Sequence, residues 1–307
     1  MIKSKDLFGI FPPVPTPFNE SGEVALDKLA SNLEKLASTR LTGFVILGSN
    51  GEYVYLDDTE KFAMFETARK AIPADRLFLA GTGAESTRVA LRLTLAAAEA
   101  GANAVLVNTP SYYKPAMTHA ALVKHYTTLA DASPVPVILY NMPAYTGLDL
   151  TAETVLELAA HPNIIGLKES SANVVKIGEI MLAVRQRKLD FTVLAGSASF
   201  LQAALSVGAS GGILASANVA PELCLKIFEA TTGHDASATA LQHSLLALNA
   251  SVTTRFGVAG LKYAMSQVKL YGGPVRPPLL AASASAQSEI DQILSQLDQA
   301  SILKTHE

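Results

Sequence analysis

Short apolar runs recur along the chain, and amphipathic segments with a helical period separate them. The runs are apolar throughout instead of alternating with polar residues, which is typical of parallel strands buried on both faces. Their first residues lie 20 to 34 positions apart, which leaves room for a helix and two loops between successive strands. The eight runs cover residues 9–14, 43–48, 77–83, 104–109, 135–141, 164–170, 191–197 and 211–216. Eight parallel strands of this kind close most simply into a (β/α)8 barrel, also called a TIM barrel.

Helical patterns fill the segments between the runs and continue alone after the eighth. Residues 87–100 are predicted to form one helix that ends at Gly101, and Thr151 is predicted to cap the start of another. Beyond the last strand, helices are predicted at about residues 221–230, 236–250, 257–269 and 286–300. We therefore expect a catalytic barrel over residues 1–230 and a C-terminal helical region over residues 231–307, which packs on the barrel or on a neighbouring subunit.

Composition narrows the class of protein. Of the 307 residues, 49% are hydrophobic and 17% are charged, which is enough for a large core and argues against disorder. The net charge is −3 and the cations are spread along the chain, so we expect neither nucleic acid nor a membrane as a partner. The one cysteine, Cys224, excludes an internal disulfide. No apolar stretch is typical of a signal peptide or reaches the roughly 20 residues of a membrane span, so the prediction is a cytoplasmic protein.

A lysine inside the sixth apolar run is the strongest indication of chemistry. Lys168 directly follows the apolar residues 164–167, and Tyr140 lies near the end of the preceding run. In a barrel the catalytic groups lie at the C-terminal ends of the strands, so the amine and the phenol are expected side by side. Burial lowers the pKa of a lysine, and its neutral amine can then attack a ketone to form a Schiff base. Two plainer alternatives remain: Lys168 reaches solvent or pairs with Glu169, and Tyr140 is a core aromatic.

A glycine-rich segment follows the second apolar run. Residues 48–52 have the sequence Gly-Ser-Asn-Gly-Glu, in which small residues allow backbone amides to approach an anion. Ser49 and Asn50 add a hydroxyl and an amide, although an ordinary strand-to-helix turn has the same composition. The six histidines fall in helical or loop segments, and none shares a strand end with a carboxylate or a candidate nucleophilic serine. We therefore expect no metal site, no hydrolytic triad and no cofactor.

With these residues placed, the chain resembles a known superfamily almost from end to end. This is the superfamily of dihydrodipicolinate synthase and N-acetylneuraminate lyase, which are pyruvate-utilising class I aldolases. Residues 48–52 are similar to its carboxylate-binding signature, residues 140–143 to its proton-shuttle motif, and residues 165–169 to its Schiff-base strand. The resemblance implies a TIM barrel that uses a lysine and no cofactor.

The resemblance also implies a role for each catalytic residue. Lys168 would form the Schiff base, Tyr140 would relay protons, and Ser49 would link Tyr140 to Tyr112. In this family the tyrosine that matches Tyr112 comes from a neighbouring subunit, which implies a homo-oligomer, usually a tetramer built as a dimer of dimers. The substrate, a 2-oxo acid such as pyruvate, would be bound by residues near the strand ends. These candidates are Gly48, Ser49, Asn50, Tyr145, Ser170, Gly196, Ser197 and Asn218.

One departure from the synthases of this family lies just after the proton-shuttle motif. Where they carry an arginine two residues after the motif proline, this chain has Tyr145, which cannot offer a bidentate cation to a second carboxylate. Several segments instead resemble 4-hydroxy-2-oxoglutarate aldolases, namely residues 48–52, 146–150, 194–198, 252–257 and 271–274.

The function that this pattern favours is a lyase that forms a Schiff base. It would reversibly cleave 4-hydroxy-2-oxoglutarate, or a 2-keto-3-deoxy sugar acid, to pyruvate and an aldehyde. One alternative is a 4-hydroxy-tetrahydrodipicolinate synthase, which condenses pyruvate with aspartate semialdehyde. An alternative of another class is a catalytically inactive sensor that binds an oxo acid.

Overall fold

Nine short strands form a single parallel sheet in the computed structural model, which describes residues 1–299. The strands are β1 (Gly9–Phe11), β2 (Pro13–Val14), β3 (Gly43–Ile46), β4 (Leu77–Gly81), β5 (Ala104–Asn108), β6 (Val137–Asn141), β7 (Ile164–Glu169), β8 (Thr192–Ala195) and β9 (Gly211–Ile213). The sheet runs in the order β1, β9, β8, β7, β6, β5, β4, β3, β2. Its two edges are therefore β1 and β2, which are consecutive parts of one segment, so the sheet closes into a barrel.

The first predicted strand is divided between β1 and β2. Pro12 separates the two, and a proline has no N–H to donate to a strand ladder. β1 pairs with β9, with Gly9 opposite Gly211, whereas β2 pairs with β3, with Pro13 opposite Val45. The predicted (β/α)8 barrel is therefore confirmed, and its first strand is interrupted where it changes from one neighbour to the other.

Twelve α-helices lie within residues 1–299. They are α1 (Leu26–Ala37), α2 (Asp58–Ala71), α3 (Thr87–Glu99), α4 (His119–Ala132), α5 (Pro143–Thr146), α6 (Ala152–Leu158), α7 (Val174–Arg187), α8 (Leu201–Ser206), α9 (Pro221–Thr232), α10 (Ala238–Ala250), α11 (Gly257–Gln267) and α12 (Ala284–Gln299). The helices that follow the strands in turn form the outer layer, and α5 is a single turn between β6 and α6. The predicted helix ends are confirmed, because Gly101 follows α3 with φ 92° and the Thr151 side chain accepts a hydrogen bond from the Thr154 N–H.

Apolar side chains from the strands fill the barrel interior. They are Phe11, Val45, Leu79, Ala104, Leu106, Ile138, Ile165, Leu194 and Ile213, all buried. Leu7, from a short 3-10 helix, packs among them and approaches Gly166, where a side chain would come within 3.3 Å of it. A second and larger core lies between the strands and the helices. Because the interior is packed, the polar side chains at the C-terminal ends of the strands lie on an apolar floor.

The C-terminal region packs on the barrel of its own chain. It consists of α10, α11 and α12, and a π-helix at Ser251–Arg255 joins α10 to α11. α10 contacts α8 and α9 of the barrel, and α12 contacts α10 and α11. The predicted boundary at residue 230 falls inside α9, and residues 300–307 of the predicted region lie outside the described residues. No helix of the described chain is both long and apolar enough to span a membrane.

Candidate active site

A cavity of about 550 Å³ opens at the C-terminal end of the barrel. Eight of the residues predicted to form the site line it together: Ser49, Asn50, Tyr140, Tyr145, Lys168, Ser170, Gly196 and Ser197. They come from four different strand ends, which is the usual way in which this fold assembles a site. The wall is completed by Met142, Ala144, Ala172, Ser199, Phe200, Ala215, Val252, Thr253, Thr254, Gly257 and Val258.

Lys168 extends from β7 into the floor of this cavity. It is only 2% exposed, and burial lowers the pKa of its amine to about 7. The ammonium form loses its hydration in the barrel interior, so the neutral form becomes accessible near neutral pH. Lys168 therefore combines a nucleophilic amine with access to the cavity.

Glu169 does not neutralise Lys168, although it is the next residue along β7. Successive side chains of a strand point to opposite faces, and the buried carboxylate of Glu169 lies 2.9 Å from the amine of Lys176 on α7. The side-chain amide of Asn141 also donates to it, at 2.8 Å. Among residues 1–299 Lys168 has no carboxylate within ion-pair distance, so no opposing charge offsets the effect of burial on its pKa. The alternative that Lys168 pairs with Glu169 or reaches solvent is therefore wrong.

Tyr140 lies directly opposite Lys168 on the neighbouring strand, β6. The amine of Lys168 stands 4.1 Å from the centre of the Tyr140 ring, and the phenol oxygen is 3.1 Å from the hydroxyl of Ser49. Burial raises the pKa of Tyr140 to about 12, and the hydrogen bond with Ser49 opposes this shift. The phenol is therefore protonated at neutral pH. Its ring lies beside the amine, and its hydroxyl contacts the glycine-rich turn at Ser49.

That turn is a short 3-10 helix at Ser49–Gly51, directly after β3. The hydroxyl of Thr16, which follows β2, donates to the carbonyl of Gly51 at 2.6 Å. Glu52 ends the turn in the left-handed region, with φ 52° and a buried carboxylate. The turn holds Ser49 and Asn50 at the edge of the cavity, within reach of a group bound to Lys168.

Ser170 offers the cavity a hydroxyl with spare hydrogen-bonding capacity. Its Oγ is buried and makes no hydrogen bond of good geometry within residues 1–299, although it lies near the Tyr140 phenol and, like Ser49, opposes the rise in the pKa of that group. Gly196, at the end of the neighbouring strand, makes room for it, because an added Cβ would lie 1.8 Å from the Ser170 Oγ. Buried polar atoms are almost always satisfied, so the open position at Ser170 fits a hydroxyl or carboxylate of a bound substrate.

The far wall comes from the C-terminal region, which the sequence did not indicate. Thr253 and Thr254 reach the cavity from the π-helix, and Val258 reaches it from the first turn of α11. π-helical turns are frequent at functional sites, but their position has no recognised sequence signal. The part of the cavity away from Lys168 is thus bounded by hydroxyl groups of a segment more than eighty residues later in the chain.

Three predicted residues do not line the cavity. Asn218 is buried, and its side-chain amide donates to the carbonyls of Pro13 and Ala215 at 3.1 and 3.0 Å. Gly48 lies beneath the turn rather than on the cavity wall. Tyr112 is 78% exposed and is not among the residues that line the cavity of its own chain. Binding of substrate by these residues therefore stays a prediction.

The loop that carries Tyr112 is nevertheless well defined. The Glu85 carboxylate accepts hydrogen bonds from the backbone N–H groups of Ser111 and Tyr112, both at 2.8 Å. Within residues 1–299 no group of three or more histidine, cysteine, aspartate or glutamate residues is arranged to hold a metal ion. The chemistry available at the site is that of an amine, a phenol and several hydroxyls.

A buried amine beside a phenol at the C-terminal mouth of a (β/α)8 barrel defines a class of enzyme, the aldolases that form a Schiff base. The chain belongs to the dihydrodipicolinate synthetase family, whose model matches residues 6–297. It is a carbon–carbon lyase of the class I aldolase type.

Two relatives and one solved structure illustrate the similarity. The chain is 36% identical over 295 residues to a 4-hydroxy-tetrahydrodipicolinate synthase of Haloarcula marismortui, covering 95% of this chain and 94% of the relative. It is 33% identical to a probable mitochondrial 4-hydroxy-2-oxoglutarate aldolase of Emericella nidulans, covering 94% of each. The crystal structure of YagE, a family member from E. coli K12 in complex with pyruvate, superposes with a TM-score of 0.88 at 30% identity. It covers 97% of this chain and 99% of YagE.

Proposed function

We propose that the protein reversibly cleaves a 4-hydroxy-2-oxo acid to pyruvate and an aldehyde, with Lys168 as the Schiff-base residue. The observation that carries the proposal is the buried amine of Lys168, whose pKa is lowered to about 7 and which faces a cavity beside Tyr140. A lysine that served only the fold would gain from a carboxylate partner, and Lys168 has none among the described residues. Its burial is costly for the fold and useful for nucleophilic attack.

The reaction would begin with attack of the neutral Lys168 amine on C2 of the oxo acid. The carbinolamine loses water and becomes an iminium ion. The bond between C3 and C4 then breaks, and its electron pair moves into the iminium to give an enamine, while the proton of the 4-hydroxyl leaves and C4 becomes the aldehyde carbon. Protonation of the enamine at C3 gives the pyruvate imine, and water hydrolyses it to pyruvate and free Lys168.

Tyr140 is the group placed to move these protons. Burial keeps the phenol protonated in the free enzyme, because its pKa is raised to about 12. Once the iminium cation forms, 4.1 Å from the ring in the position of the amine, the positive charge favours the phenolate. Tyr140 can then give its proton to Ser49 while Ser49 gives its own hydroxyl proton to Tyr112, and the resulting phenolate of Tyr140 accepts the proton of the 4-hydroxyl. It thus acts as a relay rather than as a permanent base.

The carboxylate of the substrate would bind at Ser49 and Asn50, which border the cavity on the same side as the Tyr140 hydroxyl. Tyr112 would complete the relay from a neighbouring subunit. Its exposed ring supports this arrangement, since the ring does not reach the cavity of its own chain. The proposed active unit is therefore at least a homodimer, with a dimer of dimers as the expected assembly.

The aldehyde half would lie against the far wall, which carries several hydroxyl groups. The Thr254 hydroxyl can donate to the carboxylate of 4-hydroxy-2-oxoglutarate or to a hydroxyl of a 2-keto-3-deoxy sugar acid. The hydroxyl of Thr253 donates to the Asn249 carbonyl, and that of Ser197 accepts from the Asn249 amide, so both can further accept a hydrogen bond from a sugar hydroxyl. Lys168 is the one cationic side chain on the cavity wall in the described residues. Recognition of the aldehyde half therefore rests on hydrogen bonds from neutral groups.

Condensation of pyruvate with aspartate semialdehyde is the second candidate. The relative from Haloarcula marismortui, which is a 4-hydroxy-tetrahydrodipicolinate synthase by name, favours it. Tyr145 argues against it, since this neutral side chain occupies the cavity edge where we expect the synthases to have an arginine. We rank the cleavage reaction first for this reason.

Borohydride reduction in the presence of pyruvate tests the proposal. Wild-type protein should gain the mass of a reduced pyruvyl group, and Lys168→Ala should gain none. Cleavage of 4-hydroxy-2-oxoglutarate or of 2-keto-3-deoxygluconate should then release pyruvate at a rate that saturates with substrate. Absence of the adduct in the wild type would refute the Schiff-base mechanism. An adduct without turnover of any 4-hydroxy-2-oxo acid would instead indicate the synthase if pyruvate condenses with aspartate semialdehyde, and an oxo-acid sensor if it does not.

A further inference from the structure

Glu52 connects the cavity turn to the C-terminal region. It directly follows Ser49–Gly51, and its carboxylate is buried behind the cavity wall. One oxygen lies 2.5 Å from the amine of Lys262, and the other accepts the backbone N–H of Arg276 at 2.9 Å. Both partners are more than two hundred residues away in sequence, so the tertiary fold makes these contacts.

Lys262 is as deeply buried as the carboxylate that it faces. Its side chain is 1% exposed, its amine donates to the carbonyl of Pro274 at 2.7 Å, and it stands 4.4 Å from the centre of the Phe18 ring. Burial lowers the pKa of Lys262, and the charge of Glu52 opposes this shift. Separation of the two groups would leave each charge buried without a counterion, which is energetically costly. The ion pair therefore restricts the distance between Lys262 and Glu52.

The position of Lys262 on α11 gives the pair a link to the site. α11 begins at Gly257, and Gly257 and Val258 form part of the cavity wall. Lys262 lies little more than one helical turn further along the same helix. The contact between Lys262 and Glu52 therefore joins the turn that carries Ser49 and Asn50 to a helix whose first turn lines the cavity.

The backbone of Glu52 shows why the turn depends on this contact. A residue with a side chain adopts φ 52° at a cost, and such a conformation persists where the surroundings enforce it. Three contacts hold this end of the turn: the hydrogen bond between Thr16 and the Gly51 carbonyl, the buried ion pair with Lys262, and the hydrogen bond from the Arg276 N–H to the Glu52 carboxylate.

We propose that Lys262 and Glu52 are positioning residues that hold the side chains of Ser49 and Asn50 at the correct distance from the amine of Lys168. This inference rests on the proposed function, in which that turn binds the carboxylate of the oxo acid. The pair does not touch the substrate. Its loss weakens binding of pyruvate, because the hydroxyl and amide of the turn no longer meet the carboxylate, and it also lengthens the contact between Ser49 and Tyr140.

The variant Lys262→Met tests this role with pyruvate as the probe. The measurement is the pyruvate concentration that gives half the maximal rate of borohydride trapping at Lys168. Removal of the cation should raise this concentration about 10- to 100-fold, the range expected when binding groups move by a fraction of an ångström to about 1 Å. The saturating rate should change less, because Lys168 itself keeps its surroundings. An unchanged half-saturating concentration would refute the inference.

A double variant separates positioning from stability. Lys262→Met leaves the Glu52 carboxylate buried without a counterion, which also destabilises the fold. Glu52→Gln in the same chain removes that charge, so the melting temperature should recover while the half-saturating concentration stays raised. If the melting temperature and the half-saturating concentration both return to their wild-type values, the role of the pair is purely structural and the inference is overturned. If Lys262→Met does not fold, Glu52→Gln alone tests the inference. Its half-saturating pyruvate concentration should rise by the same factor, and a value equal to that of the wild type would refute the inference.

Arg276→Met is the matched control. The Arg276 guanidinium also lies over Phe18, at 4.3 Å, pairs with Glu60 and donates to the carbonyls of Tyr55 and Gly22, whereas the hydrogen bond to Glu52 comes from the Arg276 backbone N–H, which the replacement keeps. Its replacement should lower the melting temperature and leave half-saturation within about twofold of the wild type. An equal increase of the half-saturating concentration in Lys262→Met and Arg276→Met would show that any destabilisation of this region weakens binding, and it would overturn the inference. Failure of the wild type to form any adduct would instead remove the proposed function itself, and the inference with it.

Discussion

Replacement of Lys168 with methionine should stabilise the fold while it abolishes turnover. Lys168 is 2% exposed, and burial lowers its pKa from 10.5 to about 7. A pKa lowered by this amount corresponds to about 5 kcal/mol of unfavourable free energy for the charged form in the barrel interior. Methionine has a similar length and no charge, so it occupies the same space without this cost.

The stabilisation should depend on pH with a definite sign. Below about pH 7 Lys168 is protonated in both the folded and the unfolded chain, so the wild type bears the full cost of burial. Between about pH 7 and 10.5 the unfolded chain binds a proton that the folded chain does not, so the stability of the wild type rises with pH. The advantage of the methionine variant should therefore be largest at pH 6 and about 3 kcal/mol smaller at pH 9.

Urea unfolding of the two proteins at pH 6 and pH 9 measures this difference. Protein concentration should be the same throughout, because the stability of an oligomer depends on it. Lys124→Met is the control, since Lys124 is exposed on α4 and its replacement should have the same small effect at both pH values. A Lys168→Met advantage that does not change between pH 6 and pH 9 would refute the argument that burial lowers the pKa of this amine.

Further predictions concern catalysis. Tyr140→Phe should reduce kcat by about 10²- to 10⁴-fold while borohydride still traps pyruvate at Lys168, and wild-type activity would remove Tyr140 from the mechanism. In the wild type, kcat/KM should rise with pH through about 7 as Lys168 loses its proton, and a flat profile between pH 6 and pH 8 would contradict this. Gly196→Ala should lower kcat/KM, because the new Cβ would lie 1.8 Å from the Ser170 Oγ and displace that hydroxyl. Unchanged kinetics would show that the position of the Ser170 hydroxyl does not matter for catalysis. Tyr145→Arg should increase condensation of pyruvate with aspartate semialdehyde, and efficient condensation by the unaltered chain would reverse the ranking of the two candidate functions.

The barrel could be predicted from the sequence because its determinants are local. A run that is apolar on both faces is consistent with a parallel strand with helices outside it, and eight such runs leave few other arrangements. The same logic placed Lys168 and Tyr140 side by side, and the strand register confirms this. What the runs did not show is the division of the first strand at Pro12, because the change of neighbours there depends on how the barrel closes.

The partners of the buried charges could not be predicted in this way. Glu169 adjoins Lys168 in sequence but pairs with Lys176, since alternate residues of a strand face opposite sides and α7 lies on the outer side. Asn218 was a candidate for substrate binding, yet its amide is engaged with backbone carbonyls beneath the cavity. In both cases the residue type is compatible with several roles, and the groups that the fold packs around the side chain select one.

The sequence by itself determined the architecture and the position of Lys168 beside Tyr140, because the period of the apolar runs and the order of the strands decide which side chains meet at a strand end. The tertiary structure alone decided the shape of the cavity away from Lys168. Thr253 and Thr254 form part of its wall, and Glu52, next to the turn that carries Ser49 and Asn50, contacts Lys262 on α11. These contacts join segments about two hundred residues apart, and only the packing of the C-terminal region on the barrel brings them together.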